Sequence, residues 1–214
     1  MSGSTRDSSA LELLLWSTVG RVEALAARKY EAHAASLLTT EKQAFLKTLD
    51  SLVTRAEVVD QSALGAPLST VLSRASASSE ASTLLVQGFV LELLGLTLYQ
   101  RMAVSEALSA GARQLAKAGC AACETVLAEG RERISATWPD GEALYSAFKS
   151  EAEPVLSGLD DLGEAVDDEF GESLGLTFGD LIGDFAAELL DRGLDMDMPR
   201  RKLVVFLTSC LMSV

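Results

Sequence analysis

Glu92 is the residue with the strongest chemical demand in this sequence. It stands within Phe89-Val90-Leu91-Glu92-Leu93-Leu94, and a carboxylate buried among such neighbours is costly unless it is protonated, hydrogen-bonded or paired. Near a second acidic group in a dry interior its pKa would rise, which is how a general acid or base for neutral pH is made. The plainer reading is a buried carboxyl held by a hydroxyl, with Tyr99 two turns along the same helix as a candidate. Cys120-Ala-Ala-Cys123 places two thiols three residues apart on one helix face, a spacing open to redox or soft-metal chemistry. No second cysteine pair completes a zinc site, and thiols in an alanine-rich packing stripe are the simpler reading. The single histidine, His33, follows Glu31 at i+2, on a different helix face. Glu57 and Asp60 imitate a Glu-x-x-His pair with Asp for His, and Glu23 and Glu31 add acidic groups on the preceding helix. One histidine cannot supply two imidazole ligands or a nucleophile triad for the many serines, and there is no Gly-rich phosphate loop.

The elements that must position these residues are helices. Apolar residues recur at helical spacing almost throughout, without sustained period-two alternation. The pattern predicts a first helix over 10–37, with Leu14, Val19, Val22 and Leu25 among its apolar positions. A second runs over 40–61, with Phe45, Leu49, Leu52, Val53 and Ala56 on one face. A Ser/Ala-rich connection over 62–79 holds a short helix at 69–74. A third long helix over 80–102 is apolar on nearly all sides, as befits the centre of a bundle. A fourth runs over 105–134, and shorter helices follow over 142–151, 154–170, 178–193 and 199–212, with Thr177 as a cap and Pro199 in a first turn. Two long helices, a long crossover and two more long helices give the connectivity of an all-α, ferritin-like four-helix bundle with additional C-terminal helices. Residues 1–9 are expected to be a flexible N-terminus and 10–214 a single domain.

The chain has 214 residues and a net charge of −13. That charge repels phosphate backbones and anionic lipid, which argues against nucleic-acid and membrane-surface roles. The longest apolar run, 83–99, contains Gln87 and Glu92 and falls short of a bilayer span. No membrane insertion is expected. Three cysteines suit a reducing compartment, and the polar start is a poor secretory signal, so the expected location is cytoplasmic. The acidic residues between Asp160 and Glu172 read as a solvated face, or as a contact for a basic protein partner.

Three stretches carry a family resemblance: LLTTEKQ at 37–43, LVQGFVLELLGLTLY at 85–99, and FGDLIGDF at 178–185 with the helix after it. In these, and in helix order and length from about Val22 onward, the chain resembles the cyanobacterial aldehyde-deformylating oxygenases, ferritin-like di-iron proteins acting on fatty aldehydes. The family's centre takes one Glu from each of two helices and a Glu-x-x-His pair from each of the other two. Position by position, the resemblance puts those ligands at Leu25, at Val53 and Ala56, at Glu92, and at Ala121 and Glu124. Only Glu92 is retained, Glu124 stands where a His is expected, and the rest are apolar. The resemblance thus implies a metal-free relative without a cofactor, its former iron cage turned into a pocket.

The expected function is binding of an apolar small molecule or acyl chain in the bundle core. Leu25, Val53, Ala56, Phe89 and Ala121 would line the pocket, and Glu92, Glu124 and Tyr99 would carry cofactor-independent acid/base chemistry such as cyclisation or isomerisation. The alternatives are a non-catalytic interaction scaffold and a di-iron oxygenase with relocated ligands.

Overall fold

A computed structural model describes residues 8–33, 37–52, 59, 62–76, 80–156 and 159–211. Every regular element among them is helical. The helices are α1 (Ser8–His33), α2 (Thr40–Leu52), α3 (Gly65–Ser76), α4 (Ala81–Val104), α5 (Ala110–Thr137), α6 (Gly141–Leu156), α7 (Leu159–Val166), α8 (Phe178–Asp195) and α9 (Arg200–Leu211). A single π-helical turn, Asp167–Gly171, follows α7.

α4 packs on α5 along most of its length and also touches α1, α6 and α8, while α2 bridges α1 and α5. The helices α1, α2, α5 and α4 therefore close a four-membered ring, with α3 and α6 to α9 packed around it. The centrality of α4 follows from its composition. Its residues from Val86 to Leu93 are all buried, which a helix sustains only when neighbours cover every side. It is also the one helix among the described residues long and apolar enough to cross a membrane, and two thirds of that stretch is covered by the rest of the protein.

Several boundaries differ from those the sequence suggests, for local reasons. The stretch expected to be flexible through Ser9 gives way to α1 at Ser8. α5 begins at Ala110 and not near 105, because the Ser109 hydroxyl accepts a hydrogen bond from the Ala112 amide and caps the helix. The Ser109 amide and hydroxyl in turn donate to the Glu12 carboxylate, at 2.5 and 2.9 Å, fastening the start of α5 to α1. α3 is longer than expected because Pro67 falls in its first turn, where a missing amide hydrogen costs nothing. Pro154 does not start a helix; α6 runs through it and ends two residues later. Thr177 caps α8 as expected. Within the acidic stretch, Glu164, Asp167 and Asp168 are exposed, but Glu169 is buried and accepts a hydrogen bond from the Ala63 amide.

Candidate functional site

All four helices of the ring send ionisable groups into the centre. On α1 the buried residues Leu11, Leu15, Val19, Ala26 and Tyr30 recur in steps of four and three, and Glu23 falls on that row. On α2 the row is Phe45 and Leu49, and three residues earlier it lands on Lys42. On α4 the group is Glu92. On α5 the inward row Ala112, Ala116, Gly119, Val126 and Ile134 includes Cys123. Lys42 is wholly buried, Glu92 is 2 % exposed and Glu23 5 %.

Lys42 lies between the two carboxylates. Its Nζ is 2.5 Å from Glu23 Oε2 and donates a hydrogen bond to Glu92 Oε2 at 2.7 Å. The Tyr99 hydroxyl donates to Glu23 Oε1 at 2.6 Å. Ligating atoms of Glu23, Glu92 and Cys123 lie within 4.8 Å of one another, so the Cys123 thiol, a weak donor, faces the carboxylates. Among the described residues no donor meets Glu92 Oε1 in hydrogen-bond geometry, while the Tyr30 hydroxyl and the Cys123 thiol act on the Glu92 carboxyl from nearby.

Local structure explains how these groups reach one point. The Thr39 hydroxyl accepts a hydrogen bond from the Lys42 amide, capping α2, and pairs with Thr125 of α5 at 2.8 Å. Lys42 is therefore fixed in the first turn of α2. A cation there opposes the helix dipole, and the two carboxylates offset that penalty. Tyr99 reaches Glu23 because α5 has glycine opposite it: a Cβ on Gly119 would sit 2.8 Å from the Tyr99 ring. Gly88 admits the Tyr30 ring in the same way, and the Tyr30 hydroxyl donates to the Gly88 carbonyl at 3.1 Å. Phe45 packs edge-on against Tyr99, and Trp16 stacks beside it.

The electrostatics follow from two negative charges and one positive charge in a dry setting. Burial alone would discharge Lys42, but Glu92 and then Glu23 outweigh it and hold the ammonium well above the ordinary lysine range. Burial pushes Glu92 above its usual 4.5; Lys42 draws it back in part, and Glu23 adds to the rise. Burial raises Tyr30, Tyr99 and Cys123 as well, with the neighbouring carboxylates adding to it. These three groups stay protonated at neutral pH.

A cavity of about 150 Å³ adjoins the cluster between α1, α3, α4, α7 and α8. Its wall is almost entirely apolar, including Leu15, Val19, Leu68, Leu91, Leu98 and Ile182, and Glu23, Glu92 and Tyr99 form its polar end. Lys42 stands behind the carboxylates and does not line it.

The structure separates the residues that the sequence singled out. Glu92 and Tyr99 are brought together, through Glu23 and Lys42. Glu124 is not part of the site: it points outward from α5 and pairs bidentately with Arg192 of α8, both oxygens at 3.0 Å. Ala121 is exposed on the same outer face, because the inward row of α5 passes through Cys123. Leu25 and Phe89 are buried core residues, but neither lines the cavity. Val53, Ala56, Glu57 and Asp60 lie outside the described residues. Sequence reasoning missed Lys42 as a site residue and weighed Glu23 only as a relocated metal ligand. In both cases the signal was a charged residue on the extension of an apolar row.

Among the described residues the donor set does not fit a di-iron centre, which calls for four carboxylates and two imidazoles. Two carboxylates and a thiol converge, and an ammonium already bridges the carboxylates at 2.5 and 2.7 Å. A metal ion there would have to displace Lys42. Comparison of the chain with protein-family models and with curated proteins gives no match.

Proposed function

We propose that this protein binds a small apolar molecule in the cavity beside the Glu23–Lys42–Glu92 cluster and moves a proton on it without metal or organic cofactor. The observation that carries this reading is the placement of a paired, charged cluster at the end of an otherwise apolar cavity. A volume near 150 Å³ matches a dry cavity known to accept benzene. It favours a compact ligand over a long acyl chain, since drug-sized pockets run to roughly 300–1,000 Å³. Glu92 is the proton-transfer group. Its raised pKa brings its two protonation states closer in energy near neutrality, which favours reversible exchange. Lys42 stays charged and steadies the carboxylate after the proton leaves, and Tyr99 orients Glu23 by its hydrogen bond. Isomerisation by proton shift needs only such movements; in a cyclisation the proton added at one atom and removed at another accompanies the ring bond formed from the ligand's own π electrons.

The ring of α1, α2, α4 and α5 and the resemblance in three sequence stretches support a ferritin-like ancestry in which Lys42 has taken the place of metal between two carboxylates. Among the described residues the acidic surface offers no comparable convergence of groups, so the ligand-binding reading is preferred to an interaction scaffold.

The test is mass spectrometry of small molecules released from the purified protein by denaturation, followed by incubation of the identified ligand in D2O. We expect a compact apolar molecule from the unaltered protein and none from Leu94→Trp, which fills the cavity. Glu92→Gln should abolish deuterium exchange into the ligand, whereas Glu124→Gln should not. Exchange that survives Glu92→Gln unchanged would overturn the catalytic assignment.

A further inference from the structure

The polar end of the cavity presents hydrogen-bond acceptors and almost nothing else. Of the groups on its wall, the Thr18 hydroxyl donates to the Leu14 carbonyl at 2.9 Å and the Thr97 hydroxyl to the Leu94 carbonyl at 2.9 Å, each within its own helix. The Tyr99 hydroxyl is committed to Glu23 Oε1. Lys42, the one cation among the described groups at the cluster, is spent on both carboxylates and does not line the cavity. One oxygen is left over. Glu92 Oε1 is buried, belongs to a residue that lines the cavity, and meets no donor in hydrogen-bond geometry among the described residues; the Tyr30 hydroxyl and the Cys123 thiol act on the Glu92 carboxyl from beside it.

Charge points the same way. With Glu92 ionised, two carboxylates against one ammonium leave the cluster one positive charge short of neutrality in surroundings where a net charge is strongly disfavoured, so the missing charge is either a proton on Glu92 or a bound cation. Facing the cluster are Glu23 and Tyr30 from α1, Lys42 from α2, Glu92 and Tyr99 from α4, and Cys123 from α5; Lys42 is the sole cation among them. A bound group carrying N–H donors and a positive charge would satisfy the open oxygen and complete the balance. An aldehyde or carboxylate brings only acceptors.

We propose that the cavity selects a small apolar amine, a single ring or short branched chain bearing a primary ammonium, with its nitrogen at Glu92 Oε1. This deepens the proposed function and rests on the cavity being a ligand site. The proton balance is explicit. An amine entering as the free base takes the proton of a neutral Glu92, breaking the carboxyl O–H bond and forming N–H. An amine entering as ammonium releases that proton to solvent. Either route ends in ammonium–carboxylate, with three buried acidic and basic side chains and the ligand summing to zero.

The experiment is isothermal titration calorimetry of the full chain at pH 8 with four probes of one shape: benzylamine, toluene, benzaldehyde and benzoate. Benzylamine should bind at least tenfold more tightly than toluene, benzaldehyde no better than toluene, and benzoate not measurably. Glu92→Gln should bring benzylamine down to the toluene level and leave toluene unchanged, and Leu94→Trp should abolish both. Toluene and benzylamine binding equally would sink the amine assignment while leaving the cavity intact. Benzaldehyde or benzoate matching benzylamine would also overturn it. If none of the four binds, the cavity reading fails together with this one. Should Glu92→Gln not fold, the ranking of the four probes on the unaltered protein still decides.

Discussion

Lys42 Nζ lies 2.7 Å from Glu92 Oε2 across fifty residues of chain, and neither side chain has more than a trace of contact with solvent. An ammonium at that depth is tolerable only because Glu23, at 2.5 Å, and Glu92 surround it. The pair is the hinge of both the fold's electrostatics and the proposed chemistry.

Removing the cation should therefore do more harm than removing the whole cluster. Lys42→Met leaves two carboxylates facing each other, and loss of one partner from a buried pair costs about 3–5 kcal/mol. Combining it with Glu23→Gln and Glu92→Gln should restore most of that loss. Urea unfolding of the single and triple variants measures the difference; a single variant as stable as the triple would contradict it.

The raised pKa of Glu92 sets a direction for pH dependence. Its folded pKa lies above the value of 4.5 for the free group. The folded state therefore holds the proton more tightly, and this contribution to stability is complete below pH 4.5. It is lost as pH rises from there through the folded pKa, with a slope of up to about 1.4 kcal/mol per pH unit for one proton. Between pH 4.5 and 7 the unaltered protein should lose stability relative to Glu92→Gln, as followed by urea midpoints at matched ionic strength. Parallel curves for the two proteins would show that Glu92 does not titrate in this window.

Gly119 is where α5 makes way for Tyr99. A methyl group there would lie 2.8 Å from the ring, and overpacking a dense core typically costs about 1–3 kcal/mol. Gly119→Ala should destabilise the protein in spite of alanine's better helix propensity, and the loss should shrink by more than half when Tyr99 is also changed to Leu. Thermal unfolding of the three variants tests the coupling.

Glu124 should be nearly silent. Its pairing with Arg192 is half-exposed, and such surface pairs contribute roughly 0–1 kcal/mol. Glu124→Gln is expected to leave the melting temperature within about 2 °C of the unaltered protein and benzylamine binding unchanged.

How much of this was legible in advance depends on which row of residues is followed. The helical character and the central place of α4 were visible in the near-continuous apolar run around Glu92, and so was the tension of a carboxylate placed there. The partners were obscured because the family resemblance supplied a register. It assigned Leu25 on α1 and Ala121 and Glu124 on α5, whereas the buried rows run through Glu23 and Cys123. On a helix, a shift of one residue rotates a side chain by about 100°, enough to turn Glu124 outward to Arg192. Lys42 escaped notice for a different reason. Its charge, in the Glu41-Lys42-Gln43 run at a helix start, reads as solvated surface, and only the three-residue step back from Phe45 betrays its direction. A pocket in the bundle core is expected from the resemblance, but where it lies and what lines it were not legible, since both depend on how the later helices α7 and α8 meet α1 and α4.

Because Thr39 ties the start of α2 to Thr125 of α5 while Lys42, three residues on, is gripped from α1 and α4, none of α1, α2 and α4 can peel away without stranding a charge. Breathing motions that would release α2 first are thereby suppressed. Amide hydrogens around Lys42, Glu92 and Cys123 should exchange together and only with whole-molecule opening, so the bundle behaves as a bolted frame and not a stack of independent rods.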